Sequence, residues 1–393
     1  MIEWLFFLLP IAALSGWLLA RKQYKSNPHV HDAVVSPGYF QGLNYLLNEQ
    51  PDKAIEVFVR LLEVNSETVE THLALANLFR RRGEIDRAIR IHQNLIARPN
   101  LPVAQRTQAL VELGLDYMKA GVLDRAEQLF LDLLNKPSPP TEAFKQLLCI
   151  YQQEKAWQKA IEMAQKVQSQ SHDNMGLLIA QFYCELAGQE LKASNTNVAA
   201  LLKLAHSHDP NCVRATLFEA KLYMQADNYR KATKSLLQIE KQDHRYIQEA
   251  LPLLLDCYLQ MDNLKVFNSW LQSLLTQYPN MTSVRLMLTH VIQLQHGSQA
   301  AQDYLYPQLQ QHPSVEGLHR LISLGEQSNP MLVPLIKGIT DTLVRRGNRY
   351  TCQSCGFAGK SMHWHCPGCK QWGSVQPTEI HLSFLETLLE QSK

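Results

Sequence analysis

Four cysteines near the C-terminal end, Cys352, Cys355, Cys366 and Cys369, form two CxxC pairs separated by ten residues. A CxxC turn folds its two sulfurs onto one side of a tight backbone knuckle, so each pair can aim two thiolates at one point. Four thiolates together make a closed tetrahedral shell that suits zinc or iron. The competing reading, two disulfides or four unrelated cysteines, sits poorly with two CxxC pairs inside eighteen residues. These four residues are the expected ligands of one metal ion. His363 and His365 lie between the pairs, but four thiolates already complete a shell, so both are expected beside the metal rather than on it.

Elsewhere the chain is poor in chemistry. It contains no GxSxG, HExxH, GxGxxG or complete phosphate loop. Gly359, Lys360 and Ser361 imitate the end of a Walker loop, but Ser354 stands where that motif requires glycine. Glu316 and His319 form a single ExxH. A di-iron bundle demands a second copy and two more carboxylates, so a solvated helix surface is the better reading. No catalytic residues are expected, and the chain reads as a non-enzyme. Its 38 Lys and Arg against 36 Asp and Glu leave no basic field for nucleic acid. Cys149, Cys184, Cys212 and Cys257 stand alone within apolar helical patterns and read as small buried core residues in a reducing compartment.

The elements that carry the cysteines fall into distinct regions of the 393 residues. Residues 1–20 contain one charge, Glu3, and the stretch from Trp4 to Ala20 contains none. Seventeen helical residues at about 1.5 Å each give roughly 26 Å, within the range of spanning helices. A signal peptide would want a basic segment ahead of the apolar run. Here Arg21, Lys22 and Lys25 follow it instead, which places the N-terminus outside and the rest of the chain in the cytoplasm. Residues 1–20 are therefore expected to form a transmembrane helix, and residues 21–36 a polar linker.

Residues 37–346 are helical in pattern, and they repeat. Gly42, Tyr45, Ala54 and Phe58 share their internal spacing with Gly114, Tyr117, Ala126 and Phe130. Ala76, Phe79, Ala88 and His92 follow the first set by 34 residues, with His92 in the aromatic slot. Tyr151 and Ala160, then Ala220, Tyr223, Ala232 and Leu236, then Tyr258, Phe267 and Leu271, continue the pattern. Leu305 and Pro313 mark one further unit, and phase breaks fall at 100–105 and near 195–198. This is the tetratricopeptide signature, in which small residues let two helices approach while aromatics fill the gap between repeats. Seven or eight helix pairs are expected. Such an array forms a concave surface that binds protein segments rather than a pocket for catalysis.

In residues 347–377 the cysteines are accompanied by Tyr350, Gly356, Phe357, Trp364, Pro367, Trp372 and Pro377. Gly356 lets backbone amides turn toward sulfur, Pro367 stiffens the second knuckle, and the aromatics cover a core too small to fold without metal. This segment resembles a shortened rubredoxin, with one departure: Lys370 follows the fourth cysteine where glycine is usual. The resemblance favours iron, while zinc suits the same ligands. Residues 378–393 read as a C-terminal helix.

The order of anchor, repeat array and rubredoxin-like knuckle resembles the lipopolysaccharide assembly protein B family of Gram-negative bacteria along the whole chain. The expected fold is thus mainly α: a tetratricopeptide-repeat superhelix with an N-terminal transmembrane helix and a small C-terminal metal knuckle. The resemblance implies an inner-membrane protein facing the cytoplasm that restrains lipopolysaccharide synthesis. It would promote degradation of the deacetylase that commits precursors to lipid A, together with a membrane-bound AAA+ metalloprotease. An inner-membrane lipopolysaccharide sensor and other synthesis enzymes are further implied partners. Cys352, Cys355, Cys366 and Cys369 match the family's ligands one for one, and the family's knuckle packs against its repeats. Two other readings remain open on the sequence: a general scaffold for envelope enzymes, and an electron carrier built on the four-thiolate site.

Overall fold

The computed structural model describes residues 37–378 except 49, 51–52, 59–68, 172–173, 193–196, 326–335, 337–339 and 342–346. The expected transmembrane helix (1–20), its linker and nearly all of the expected C-terminal helix lie outside the described residues. Among the described residues, no helix is long and apolar enough to cross a membrane.

The chain divides into two compact units, one ending at Ala143 and one beginning at Phe144. The first contains α1 (Pro37–Leu47), a helical stretch at 53–58, α2 (Val69–Arg82), α3 (Ile85–Ile96), α4 (Val103–Lys119) and α5 (Leu123–Leu134). Helix α6 (Thr141–Gln153) crosses into the second. There follow α7 (Trp157–Ser171), α8 (Gly176–Lys192), α9 (Val198–His208), α10 (Val213–Gln225) and α11 (Tyr229–Leu237). A short α12 (Ile239–Asp243) leads through a 3-10 turn (His244–Tyr246) into α13 (Ile247–Gln260) and α14 (Leu264–Gln277). Next come α15 (Thr282–Gln311) and α16 (Val315–Leu324). Helix α15 is two helices joined without a loop, because Gly297 breaks the ladder at φ 87°, ψ 175°.

The repeat signature marks a recurring backbone turn. Four residues after the aromatic of five repeats the chain enters the left-handed region: Gly83, Gly121, Lys155, Asp227 and Asp262. The following amide then closes onto the aromatic residue's carbonyl, as Glu84 does on Phe79, Val122 on Tyr117 and Asn263 on Tyr258, at 2.9–3.0 Å. This is a helix C-cap that satisfies carbonyls the ended helix leaves open. It swings the second helix back so that the basic residue eight positions on lies over the ring: Lys53 over Tyr45, Arg87 over Phe79, Arg125 over Tyr117, Lys159 over Tyr151 and Lys231 over Tyr223.

The signature residues do what their sizes require. A Cβ on Gly42 would lie 2.6 Å from the Phe58 ring and one on Gly114 2.4 Å from Phe130. Glycine is what admits the aromatic. Ala54, Ala88, Ala126, Ala160, Ala220 and Ala232 are fully buried, as are Phe58, Phe130 and Phe267. His92 is the exception in kind: in the aromatic slot and fully buried, it hydrogen-bonds through Nδ1 to Asp116 Oδ2 at 2.6 Å. Asp116 is itself fully buried and accepts from Arg80 Nη1 at 2.9 Å, and Arg80 Nη2 reaches Glu112 at 2.6 Å. A polar chain thus replaces an apolar contact, which the repeat alignment alone did not reveal.

Cys149 and the Glu316–His319 pair differ from what the sequence leads one to expect. Cys149 is exposed, whereas Cys184, Cys212 and Cys257 are buried as expected. The position is on the outer side of α6, one residue past the buried pair Leu147 and Leu148, so helical phase rather than local hydrophobicity decides it. Glu316 and His319 are half-buried rather than solvated, and His319 Nε2 lies 3.9 Å from Asp341.

Candidate metal centre

Three short strands frame the cysteines: β1 (Tyr350–Cys352), β2 (Ala358–Gly359) and β3 (Val375–Pro377). They form one antiparallel sheet in the order β2-β1-β3, with Cys352 opposite Val375. The two CxxC turns have the same backbone. Cys352 N–H donates to the Phe357 carbonyl at 2.7 Å and Gly356 N–H donates back to Cys352 at 2.9 Å. In the second, Cys366 N–H donates to Gln371 at 2.9 Å and Lys370 N–H to Cys366 at 3.0 Å. Gly356 and Lys370 hold the same place in the two turns and both are left-handed, at φ 73° and 61°. Glycine takes that conformation freely. Lysine carries a cost of about 1 kcal/mol there, and the fold imposes it regardless.

These turns bring all four sulfurs within 4.8 Å of one another. The cross pairs Cys352–Cys369 and Cys355–Cys366 are each 3.7 Å apart. A tetrahedron with metal–sulfur bonds of about 2.3 Å has edges of about 3.8 Å, so the cluster has the dimensions of a four-thiolate metal site. Its electrostatics set two of the thiols apart. Cys352 is pulled down to about 6, first by its contact with the Ser374 hydroxyl at 3.3 Å and then by the Cys355 and Ser354 amides, against the effect of desolvation. Cys355, although the Phe357 amide pulls it down, is pushed up to about 11 by burial and by its hydrogen bonds with the other three cysteines. Backbone donors of this kind do for sulfur what they do for any anion in a nest. Gly368 lies under the cluster, where a Cβ would come within 3.3 Å of Cys355 Sγ. His363 and His365 stay off the sulfurs: His363 Nε2 is 3.1 Å from Ser361 Oγ, and His365 stacks on Trp372.

The knuckle's own core is small: Tyr350, Cys352, Cys366 and Val375, with Phe357, Met362 and Cys369 against it. The tryptophans expected to cover that core point away from it. Trp372 meets Trp157 and Phe182 edge-on, with ring centroids 6.1 and 5.8 Å away, and its indole N–H donates to Gln152 Oε1 at 3.1 Å. Trp364 stacks on Tyr246 at 5.6 Å, under the Arg214 guanidinium at 6.0 Å. Tyr246 Oη donates to the Val375 carbonyl at 2.9 Å, Tyr350 Oη to Glu249 at 2.6 Å, and Arg245 to Gln376 at 2.8 Å. The knuckle is therefore seated on α6, α7, α8, α10, the 3-10 turn and α13 of its own unit. The available signal was the number of aromatics in a segment too small to bury them all.

A repeat array of paired helices bearing a four-cysteine rubredoxin-like metal site defines a tetratricopeptide-repeat protein with an appended metal domain. Family models agree: residues 350–377 match the rubredoxin metal binding domain and residues 71–102 a tetratricopeptide repeat. Lipopolysaccharide assembly protein B of Escherichia coli (strain K12) is 38% identical over 385 residues, spanning 96% of this chain and 98% of that protein. Its counterpart in Haemophilus influenzae is 36% identical over 395 residues, spanning 96% and 98%. The chain belongs to the lipopolysaccharide assembly protein B family. Among solved structures, a tetratricopeptide-repeat protein with an unusual peptide-binding site is similar to 51% of this chain and 97% of its own, at 18% identity and a TM-score of 0.34, a likeness too slight to argue from.

Proposed function

We propose that this chain is a non-catalytic adaptor in the control of lipopolysaccharide synthesis. The observation that supports it most directly is the near full-length similarity to proteins named for lipopolysaccharide assembly, joined to a metal domain seated on the helices of its own unit. In this reading residues 1–20 anchor the chain in the inner membrane, 21–36 form the tether, and 37–346 form an array in the cytoplasm. The array holds the lipid A-committing deacetylase and presents it to a membrane-bound AAA+ metalloprotease. An inner-membrane lipopolysaccharide sensor adjusts the rate.

Cys352, Cys355, Cys366 and Cys369 would hold one metal ion, iron or zinc, which supplies a rigid tetrahedral centre. The chain's own residues do the rest: the two knuckle turns orient the sulfurs, and Trp364, Trp372 and Tyr246 fix the domain on the helices. A cleft of about 390 Å³ beside this seat, lined by His244, Arg245, Tyr278 and Pro377 among others, has its one arginine already paired with Asp243 at 2.7 Å.

The test is the half-life of the deacetylase in cells carrying the intact protein, no protein, or a Cys366→Ser variant. Rapid turnover is expected only with the intact protein. Equal half-lives in all three would leave a scaffold without a proteolytic role. Normal turnover in a metal-free variant would remove the bracing role of the knuckle.

A further inference from the structure

Cys184 of α8 and Cys212, the residue that caps the start of α10, touch inside the second unit with their sulfurs 3.9 Å apart. Both are buried, at 0% and 2% exposure. Neither belongs to the metal cluster. We propose that Cys184 and Cys212 form an oxidisable dithiol site, closing to a disulfide under two-electron oxidation by a peroxide and thereby loosening the seat of the metal domain.

The geometry differentiates the two thiols. Cys212 stands at a helix N-terminus, where unsatisfied amides favour an anion, and Arg214 follows it by two residues. Its thiol is held below the usual range, first by the hydrogen bond with Cys184 and further by the Ala215 amide and Arg214, against the effect of burial. Cys184 is pushed well up by the same hydrogen bond and by burial. Cys212 is thus the attacking sulfur. It displaces hydroxide from the peroxide as an S–O bond forms and the O–O bond breaks, giving a sulfenic acid. Cys184 then attacks that sulfur, the S–S bond forms, the S–O bond breaks, and the departing hydroxide takes the Cys184 proton. Two thiols lose two electrons and two protons, and hydrogen peroxide becomes two waters. Peroxide is close to water in size and reaches such a site through local opening of helix ends.

Each cysteine stands two residues from a contact of one tryptophan seat. Phe182, two residues before Cys184, packs on Trp372. Arg214, two residues after Cys212, pairs with Glu185 at 2.8 Å and lies over Trp364. A disulfide of about 2.05 Å draws the first turn of α10 toward α8 and shifts the arginine that bridges α8 to Trp364.

The full chain, in detergent or native membranes, is treated with graded hydrogen peroxide, alkylated, digested without reductant and analysed by mass spectrometry, with metal content measured in parallel. The expected product is a peptide pair joined through Cys184 and Cys212, two hydrogens lighter than its parts and separable by dithiothreitol, formed while the metal is retained. It is absent from C184S and C212S. Limited proteolysis should release residues 350–377 severalfold faster from the oxidised than from the reduced wild type, with no peroxide effect in C212S. If both thiols remain alkylatable after exposed Cys149 has oxidised, or if they link only once metal is lost, the site is overturned. Linkage with unchanged release overturns its action on the seat.

Discussion

Trp372 donates its indole N–H to the side chain of Gln152 at 3.1 Å, although 220 residues separate them in sequence. That bond ties a residue of the second cysteine knuckle to the end of α6, and Trp157 and Phe182 close around the same ring. A domain with a four-residue buried core thereby borrows apolar partners from the helices.

Trp372→Ala should free residues 350–377 from the helices without emptying the metal site. Removing a packed tryptophan costs about 3–5 kcal/mol. Amide exchange should accelerate in α7 and α8 as well as in the knuckle, while metal stays at one ion per chain. Loss of the metal from this variant would show that the seat and the site cannot be separated.

Lys370→Gly should stabilise the metal domain by about 1 kcal/mol, because the φ of 61° at this position is costly for any residue with a Cβ. Competition with a chelator should show slower metal release. Gly356→Ala, at the matching place in the first knuckle, should act in the opposite direction.

Asp116→Ala should be among the most damaging changes in the first unit. It leaves the buried His92 without its 2.6 Å partner and takes one of the carboxylates from Arg80, and breaking such a buried pair costs about 3–5 kcal/mol. Thermal unfolding would measure it. Restoring the aromatic slot with His92→Phe in the same chain should recover much of the loss.

Alkali should undock the knuckle. Burial pushes Tyr246 up to about 12 from its ordinary value of 10.0, and Tyr350 is also raised, by burial and by Glu249. A raised folded-state value means the contribution is fully present below pH 10 and is lost as pH climbs through about 12. Intrinsic fluorescence of Trp364, stacked on Tyr246, would follow the transition, and Tyr246→Phe should flatten its pH dependence.

The elements whose rules are local were legible in the sequence. Two CxxC pairs specify a knuckle because only a few backbone geometries place two sulfurs together. The 34-residue recurrence of small and aromatic residues specifies paired helices because Gly114 and Phe130 must occupy complementary volumes. The left-handed residue after each aromatic was visible where it is glycine, at Gly83 and Gly121, and hidden where Lys155, Asp227 or Asp262 takes the same conformation. The tertiary structure alone decided what depends on residues far apart in the chain. His92 looked like an imperfect aromatic until Asp116 and Arg80 appeared beside it. Trp364 and Trp372 looked like the knuckle's own cover until α7, α8 and the 3-10 turn supplied their partners. Cys184 and Cys212 looked like separate core residues until two helices brought their sulfurs into contact. Spacing constrains neighbours along a helix or turn, whereas a buried pair formed across helices leaves no period to read.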